Sequence, residues 1–202
     1  MSSAQPTPRT VDPVTLEGRI VRLEPLSLDH VPGLAEVGLD PVIWRWTIAR
    51  PSSEADLRAW ADAALANRAA GTEMPFVTLE AATGRPIGSS RFMNIVLDHH
   101  RLEIGWTWVA PPWQRTGANR EAKLLQLRHA FEVLGCRRVE FKTDSRNEAS
   151  RTGLLGIGAQ FEGIFRNHMV MPEGPMRHSA WYSVIDEEWP AVRDRLQASL
   201  AR

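Results

Sequence analysis

The sequence is poor in several residue types, and each shortage narrows the class of protein. Its single cysteine, Cys136, cannot form a disulfide within the chain, which favours a reducing compartment. No apolar run approaches the roughly 20 residues that a membrane-spanning helix needs. Residues 1–15 lack the apolar stretch of a secretory signal. We therefore expect a cytoplasmic protein with a flexible N-terminal tail at residues 1–15.

The chain also lacks an excess of charge of either sign. Its 24 Lys and Arg residues balance 24 Asp and Glu residues, so the formal net charge is +0. Nonspecific nucleic-acid binding depends on a basic surface, so this class is disfavoured. Tyr182 is the only tyrosine, beside eight tryptophans whose rings either build a core or line a ligand cleft. The 202 residues, 43% of them hydrophobic, predict a single domain over residues 16–202.

Apolar periodicity and turn residues predict a regular series of strands and helices. Strands are expected at 19–26, 75–80, 89–97, 102–109, 138–143, 161–171 and 179–184. Helices are expected at 28–39, 54–70, 120–134 and 147–155, with a last one after Asp186. This order indicates an α/β (α+β) fold. We expect a mixed, mostly antiparallel twisted sheet of about seven strands, with helices on both faces and one βαβ crossover at 102–143.

The loop before the long helix has the composition of an anion site. A glycine allows the backbone to turn its N–H groups toward one point, and the helix N-terminus adds partial positive charge there. Such a site suits a phosphate or pyrophosphate, although a plain tight turn with a capped helix has the same composition. The loop contains Gln114, Arg115, Thr116, Gly117, Ala118, Asn119 and Arg120.

Four ordered stretches between about Leu16 and Pro190 resemble the GNAT superfamily of acyl-CoA-dependent N-acetyltransferases, in its RimJ/RimL-like branch. They are LEGRIVRLEPLSLDH, LEIGWTWVAPPWQRTGANREAKLLQLRHAFEVLGCRRVEFKTDSRNEASR, the spacing of Asn147, Ser150, Leu154 and Gly158, and FEGIFRNHMVMPEGPMRHSAWYSVIDEEWP. The resemblance implies that the amides of the 114–120 loop bind the pyrophosphate of CoA. Asn119 departs from the family pattern there, which suggests altered contacts with the pyrophosphate.

The resemblance also implies where the acyl donor lies. The pantetheine arm would follow the strand that ends in Trp106, Trp108 and Val109, and would pass beside Asn147. Acetyl-CoA is the default donor, and succinyl-CoA is an alternative that arginine-rich walls would favour. No metal is expected, because the adjacent His99 and His100 lack carboxylate or cysteine partners.

Glu103 and Ser150 are the candidate catalytic residues. Acyl transfer needs an amine that has lost its proton, so a base is required. Alternation along 102–109 places Glu103, Gly105 and Thr107 on one face, where small residues leave room for a substrate, and Trp106 and Trp108 on the other. Many relatives protonate the leaving thiolate with a tyrosine, where this chain has Leu154. By resemblance, Ser150 replaces that acid.

The acceptor amine is not identified by the sequence. Trp44 and Trp46 fall where the family forms one wall of the acceptor cleft, although they would equally serve to pin a linker onto the core. His168 is a candidate to contact the acceptor or act as an alternative base. A protein N-terminus, a polyamine, an amino acid and an antibiotic amine all fit, and a homodimer stays open. The alternative function is a CoA-binding sensor that kept the fold and lost turnover.

Overall fold

A computed structural model describes residues 10–201 of the chain. It contains eight strands, which form one sheet in the order β1–β2–β3–β4–β5–β6–β8–β7. Their bounds are β1 Leu16–Glu17, β2 Val21–Pro25, β3 Met74–Glu80, β4 Pro86–Val96, β5 Arg101–Val109, β6 Arg138–Asp144, β7 Gln160–Val170 and β8 Met176–Ile185. β5 and β6 are parallel, and the other neighbouring pairs are antiparallel.

Six α-helices cover the two faces of this sheet. They are α1 Val31–Gly38, α2 Pro41–Trp44, α3 Glu54–Ala69, α4 Ala118–Arg128, α5 Glu148–Ile157 and α6 Trp189–Leu200. A π-helical turn, His129–Val133, extends α4. Ser53 begins α3 by accepting the backbone N–H of Asp56 at 3.2 Å. Within residues 10–201, none of the helices is long and apolar enough to cross a membrane.

Two apolar cores lie on opposite sides of the sheet. One packs the inner faces of α4, α5 and α6 against strand residues such as Leu102 and Ile104. The other packs α1 and α3 against strand residues such as Val77 and Trp108. Val11 and Val14, from the predicted tail, pack against the first core without forming a helix or strand, whereas residues 1–9 lie outside the described part.

The predicted fold class is confirmed, including helices on both faces and the crossover from β5 through α4 to β6. The eighth strand, β1, has two residues and was not predicted. The predicted first helix is a 3-10 turn, Leu28–His30, followed by α1. Ser27 begins this turn, and its backbone N–H donates to His30 Nδ1 at 3.1 Å.

The carboxylate of Glu121 ties α4 to the turn between β1 and β2. It accepts the backbone N–H groups of Arg19 at 3.0 Å, Ile20 at 2.6 Å and Val21 at 2.8 Å. Glu121 is 5% exposed, and its own backbone N–H donates to the carbonyl of Gly117 at 2.9 Å. One buried side chain therefore fixes both the edge of the sheet and the start of α4.

Candidate active site

The two parallel strands of the crossover separate halfway along their length. β5 pairs with β6 only from Arg101 to Glu103, opposite Arg138 to Glu140. Beyond that point β5 continues to Val109 and β6 to Asp144 with no pairing between them. β5 is also irregular against β4, and Trp106 has a φ of +50°. The sheet therefore opens into a gap whose closed end is at Glu103.

Glu103 lies at that closed end and is 1% exposed. Its Oε2 accepts from Asn94 Nδ2 at 2.7 Å and pairs with Lys142 Nζ at 3.2 Å. Burial raises the pKa of the Glu103 carboxyl above its ordinary value, while the positive charge of Lys142 opposes that rise. A raised pKa brings a carboxylate closer to the range in which a general base works near neutral pH.

The predicted alternation along β5 is wrong beyond Gly105. Glu103 and Gly105 do share a face, since a Cβ on Gly105 would lie 3.0 Å from Glu103 Oε1 and 2.5 Å from Met93 Sδ. Trp106 stacks on Arg91 at 5.0 Å, and Arg91 stacks on Trp60 of α3 at 4.5 Å, so Trp106 is on this face too.

Trp108 follows on the same side, whereas Thr107 faces α4. The positive φ at Trp106 explains why the alternation changes face after Gly105. It forms a β-bulge, which inserts one extra residue into the strand. Met93 and Trp106 fill part of the space that was expected to be empty. We call the side of the sheet that carries Glu103 and Trp106 the Glu103 face.

The predicted anion loop lies at the N-terminus of α4. The backbone N–H groups of residues 115 to 120 have no backbone acceptor within residues 10–201. Gly117 precedes the helix with a φ of +95°, a conformation that favours glycine. Gln114 Nε2 donates to the carbonyl of Val109 at 2.9 Å, and Thr116 Oγ1 donates to the carbonyl of Trp113 at 2.7 Å.

Most side chains of this loop face solvent. Gln114, Arg115, Thr116, Asn119 and Arg120 are exposed, and Ala118 is buried in the core. Arg120 Nη1 donates to the carbonyl of Ser199 at 3.4 Å, so it points toward α6. What this loop offers to an anion is therefore the row of backbone N–H groups. The side chains of Arg115 and Asn119 are exposed and have no hydrogen-bond partner within residues 10–201.

Asn147 and Ser150 lie at the start of α5, directly after β6. Asn147 Oδ1 accepts the backbone N–H of Ser150 at 3.1 Å and begins the helix. The Ser150 hydroxyl has no hydrogen-bond partner within residues 10–201, so it is not committed to a neighbouring carbonyl. Both residues lie at the open end of the gap between β5 and β6.

The two tryptophans predicted to contact the acceptor have different environments. Trp44 is 1% exposed, donates from Nε1 to the carbonyl of Gly38 at 2.7 Å, and packs against Trp60 and Trp108. The ring belongs to the core between α3 and the sheet, which agrees with the alternative that Trp44 pins the linker onto the core. Trp46 is half-buried, with Arg45 and Arg146 stacked on its ring at 4.9 and 5.3 Å.

His168 lies on β7, where its Nδ1 is 3.0 Å from Ser179 Oγ. Its ring packs edge-on against Trp181 at 5.9 Å. Burial, followed by the positive charges of Lys142 and Arg177, lowers the pKa of His168. The imidazole is therefore neutral near pH 7 and available to accept a hydrogen bond.

Sequence reasoning missed Asn94, Lys142, Arg177 and Trp181, which surround Glu103 or His168. Lys142 and Arg177 bind partners 39 and 131 positions away, and no local motif marks any of the four. Scarcity is the one available signal, because Lys142 is one of only two lysines. Next to Glu103 is an open cleft of about 480 Å³, whose lining includes Asn94, Glu140 and Trp181.

Other titratable residues do not form a second centre in the described part. No group of three or more His, Cys, Asp or Glu residues is placed to hold a metal ion within residues 10–201. Cys136 is buried, and burial raises the pKa of its thiol to about 12. This thiol is therefore protonated at neutral pH and is a poor nucleophile.

Lys123 is buried on the other side of β5, beneath the gap. It is 4% exposed and donates to Thr107 Oγ1 at 2.6 Å, Ser90 Oγ at 3.3 Å and Gln126 Oε1 at 3.4 Å. No carboxylate pairs with it within residues 10–201. Burial lowers the pKa of the Lys123 ammonium to about 7.

The substitution Lys123→Met is expected to change how stability depends on pH. An unfolded lysine keeps its proton up to about pH 10.4, whereas folded Lys123 releases it above about pH 7. The unfolded state therefore binds more protons between these values, and Lys123 adds about 2 kcal/mol to the free energy of unfolding between pH 7 and 9. Urea unfolding at pH 7, 8 and 9 should show this rise in the wild type and not in the variant. Parallel pH curves would contradict it.

Comparison with known proteins gives the family. The model of the acetyltransferase (GNAT) domain matches residues 21–160. A crystal structure of a GCN5-related N-acetyltransferase from Brucella melitensis is 34% identical, covers 96% of this chain and 86% of its own, and superposes with a TM-score of 0.85.

Two further relatives have either a shorter alignment with this chain or a lower sequence identity. The uncharacterized N-acetyltransferase YoaA of Bacillus subtilis (strain 168) is 31% identical over 99 residues. That alignment spans 49% of this chain and 55% of YoaA. Mycobacterium smegmatis RimJ, solved in complex with CoA-disulfide, is 20% identical, with a TM-score of 0.79 and coverage of 93% and 95%. At that identity the likeness concerns the fold.

The predicted GNAT family is thus confirmed by the matched domain and by a fold shared along nearly the whole chain. The chain belongs to the GNAT acetyltransferase family and is an N-acetyltransferase by family membership.

Proposed function

We propose that this chain transfers an acetyl group from acetyl-CoA to a primary amine, by direct attack within a ternary complex. The observation that carries the proposal is the gap between β5 and β6. It has a buried carboxylate at one end, and at the other a loop whose backbone N–H groups at residues 115 to 120 lack a backbone acceptor within residues 10–201. The gap suits an extended thioester arm, and the loop suits its pyrophosphate. Succinyl-CoA is the alternative donor.

The residues present fit coenzyme A. Six successive backbone N–H groups at residues 115 to 120 lack a backbone acceptor within residues 10–201, and a helix N-terminus adds partial positive charge. The M. smegmatis RimJ structure with CoA-disulfide has the same fold, which supports this placement. We propose that Gln114, Arg115, Thr116, Gly117, Ala118, Asn119 and Arg120 hold the pyrophosphate, and that Trp108, Val109 and Asn147 flank the pantetheine arm.

Glu103 is proposed as the group that accepts the proton from the attacking amine, directly or through a water molecule. As the C–N bond forms, the amine releases a proton to the carboxylate, and the C–S bond then breaks. Backbone amides near Val109 would stabilise the charge that develops on the thioester oxygen. The Ser150 hydroxyl would donate to the leaving thiolate.

The acceptor is proposed to approach Glu103 from the Glu103 face, past Trp46 and His168. A ribosomal-protein N-terminus is one candidate, in keeping with the RimJ/RimL-like segments of the sequence and the RimJ fold. A polyamine, an amino acid and an antibiotic amine are the others. We also propose a cytoplasmic location, with a homodimer as an open possibility.

A thermal shift assay with acetyl-CoA, succinyl-CoA, free CoA and ATP tests the donor site. A ligand at 100 times its Kd adds about 2.7 kcal/mol, which should raise the Tm by roughly 5–10 °C in a chain of this size. The CoA compounds should raise the Tm and ATP should not. No shift with any CoA compound at millimolar concentration would contradict the proposed function.

Gly117→Ala tests, in the same assay, whether the 114–120 loop binds the pyrophosphate of CoA. A Cβ at residue 117 would strain the left-handed backbone and lie 3.1 Å from Ile20 Cδ1, so the loop amides should turn away. We expect at least a tenfold loss of CoA affinity. Gly135→Ala is the matched control, because Gly135 also has a positive φ (+65°) but follows the far end of the same helix. Equal affinities for the two variants would place the pyrophosphate elsewhere.

A further inference from the structure

Arg177 is a buried cation on β8. It is 7% exposed, donates from Nε to Ser179 Oγ at 3.1 Å and from Nη1 to the carbonyl of Trp46 at 3.0 Å. Both acceptors are neutral oxygens. Within residues 10–201 no carboxylate lies within 4.0 Å of its guanidinium, and Nη2 has no hydrogen-bond partner there.

The other buried cations of the described chain are compensated in ways that Arg177 is not. Arg91 donates to Glu73 at 2.7 Å and is stacked between Trp60 and Trp106. Lys123 can lose its proton, because burial lowers its pKa to about 7. A guanidinium in a protein stays protonated, so a buried arginine needs an anion or a full set of acceptors.

The nearest carboxylates to Arg177 are already engaged. Asp144 and Glu103 both act on its pKa through their charge. However, Asp144 accepts two hydrogen bonds from the side chain of Arg146, at 3.0 and 2.8 Å, and Glu103 pairs with Lys142. The Glu103 face therefore keeps an excess of positive charge around Arg177.

Arg177 is also placed beside the proposed reaction centre. Ser179 Oγ, which accepts from Arg177, is 3.0 Å from His168 Nδ1. Lys142 lies over the ring of Trp181 at 5.4 Å and reaches Glu103 on its other side. A guanidinium fork with free donors at such a place matches the two oxygens of a carboxylate.

We propose that Arg177 binds a carboxylate carried by one of the two reactants, either the amine acceptor or the acyl group of the donor. An amino acid or an acidic peptide would supply the first, and a dicarboxylic acyl group such as succinyl would supply the second. The inference rests on the proposed function and narrows its substrate class. It makes Arg177 a specificity-determining residue, and Ser179 and the Trp46 carbonyl its positioning groups.

Two matched pairs of probes test this inference and separate its two sources. Titrations followed by tryptophan fluorescence give Kd for succinyl-CoA against acetyl-CoA. The same titrations, performed on enzyme saturated with free CoA, compare the Kd of N-acetylphenylalanine with the Kd of N-acetylphenylalanine amide. In the wild type we expect the carboxylate member of one pair to bind at least tenfold more tightly. The pair that shows this preference identifies which reactant, the acyl donor or the amine acceptor, carries the carboxylate.

Arg177→Gln should reduce this preference to less than threefold. Arg177→Lys, which keeps the charge and loses the fork, should leave an intermediate preference, and it serves as the readout if Arg177→Gln fails to fold. Arg138→Gln is the control, since Arg138 already pairs with Glu140 on its own strand, β6, and with Glu162 on β7. Its preference should equal that of the wild type.

The inference is overturned if neither pair shows a preference in the wild type, or if the preference survives in Arg177→Gln. The Kd of free CoA separates this failure from failure of the proposed function. If free CoA binds but no carboxylate is preferred, only the role of Arg177 falls. If no CoA compound binds, the proposed function falls with it.

Discussion

Glu103→Gln is expected to lower kcat by about 10²–10⁴-fold, the usual contribution of a general base. The amide keeps the shape of the side chain and can still accept from Asn94, so the closed end of the gap should persist. It can no longer take a proton from the amine. The measurement is kcat for acetylation of an amine found by screening, with Kd for acetyl-CoA determined in parallel and expected to stay within a few-fold of the wild type.

The pH dependence gives this prediction a second readout. Activity should rise with pH as Glu103 loses its proton, and burial places that rise above the ordinary range of a glutamate pKa. Lys142→Met removes a charge that lowers the pKa of Glu103, so the rise should move to higher pH. Glu103→Gln should abolish it.

Glu140→Gln is the matched control for Glu103→Gln. Glu140 is the residue paired with Glu103 across the parallel strands, and it is also buried, at 8% exposure. Its carboxylate is held by Arg138 at 2.8 Å and Arg101 at 3.6 Å. We expect its kcat to stay within threefold of the wild type. If Glu103→Gln also stays within threefold, a chain of water molecules takes the proton and Glu103 has a structural role.

Glu121→Ala should lower the free energy of unfolding by about 3–5 kcal/mol, because three backbone N–H groups lose their acceptor and each buried orphan donor costs about 1–3 kcal/mol. The donors belong to Arg19, Ile20 and Val21, and the last of these bonds is fully buried. For a chain of this size the Tm should fall by roughly 10 °C or more. Calorimetry or urea unfolding measures the change.

Glu148→Ala is the control for Glu121→Ala. Glu148 also lies in the first turn of a helix, α5, but its side chain is exposed. Its removal should change the free energy of unfolding by less than about 0.5 kcal/mol. Similar losses in the two variants would mean that the carboxylate of Glu121 contributes through helix electrostatics and not by holding the β1–β2 turn.

The fold followed from the sequence because its signals are local and repeated. Alternating residues marked the long strands, and the loop at Gly117 separated β5 from α4 as expected. β1 escaped prediction because two residues carry no period. The bulge in β5 also escaped it, since the positive φ falls on Trp106, a residue type that gives no hint of that conformation.

The candidate site could be predicted from the sequence only for residues whose role depends on their neighbours in the chain. The 114–120 loop and Glu103 could be proposed from their own neighbours along the chain. The pairing of Glu103 with Lys142 joins positions 39 residues apart, and Arg177 reaches Trp46 across 131 positions. Composition also could not tell an exposed Trp44 from a buried one, because an indole suits a cleft wall and a core equally well.

The placement of the two lysines limits uncatalysed acylation of this chain by the acyl-CoA proposed as its donor. Acyl-CoA thioesters slowly acylate exposed lysine amines without any catalyst. Lys123 is enclosed between β5 and α4, and Lys142 is paired with Glu103 at 3.2 Å, while all the other residues of the Lys and Arg class are arginines. The chain therefore offers no freely exposed lysine side chain for adventitious self-acylation, so long exposure to high acyl-CoA should leave its lysines unmodified while it stays folded.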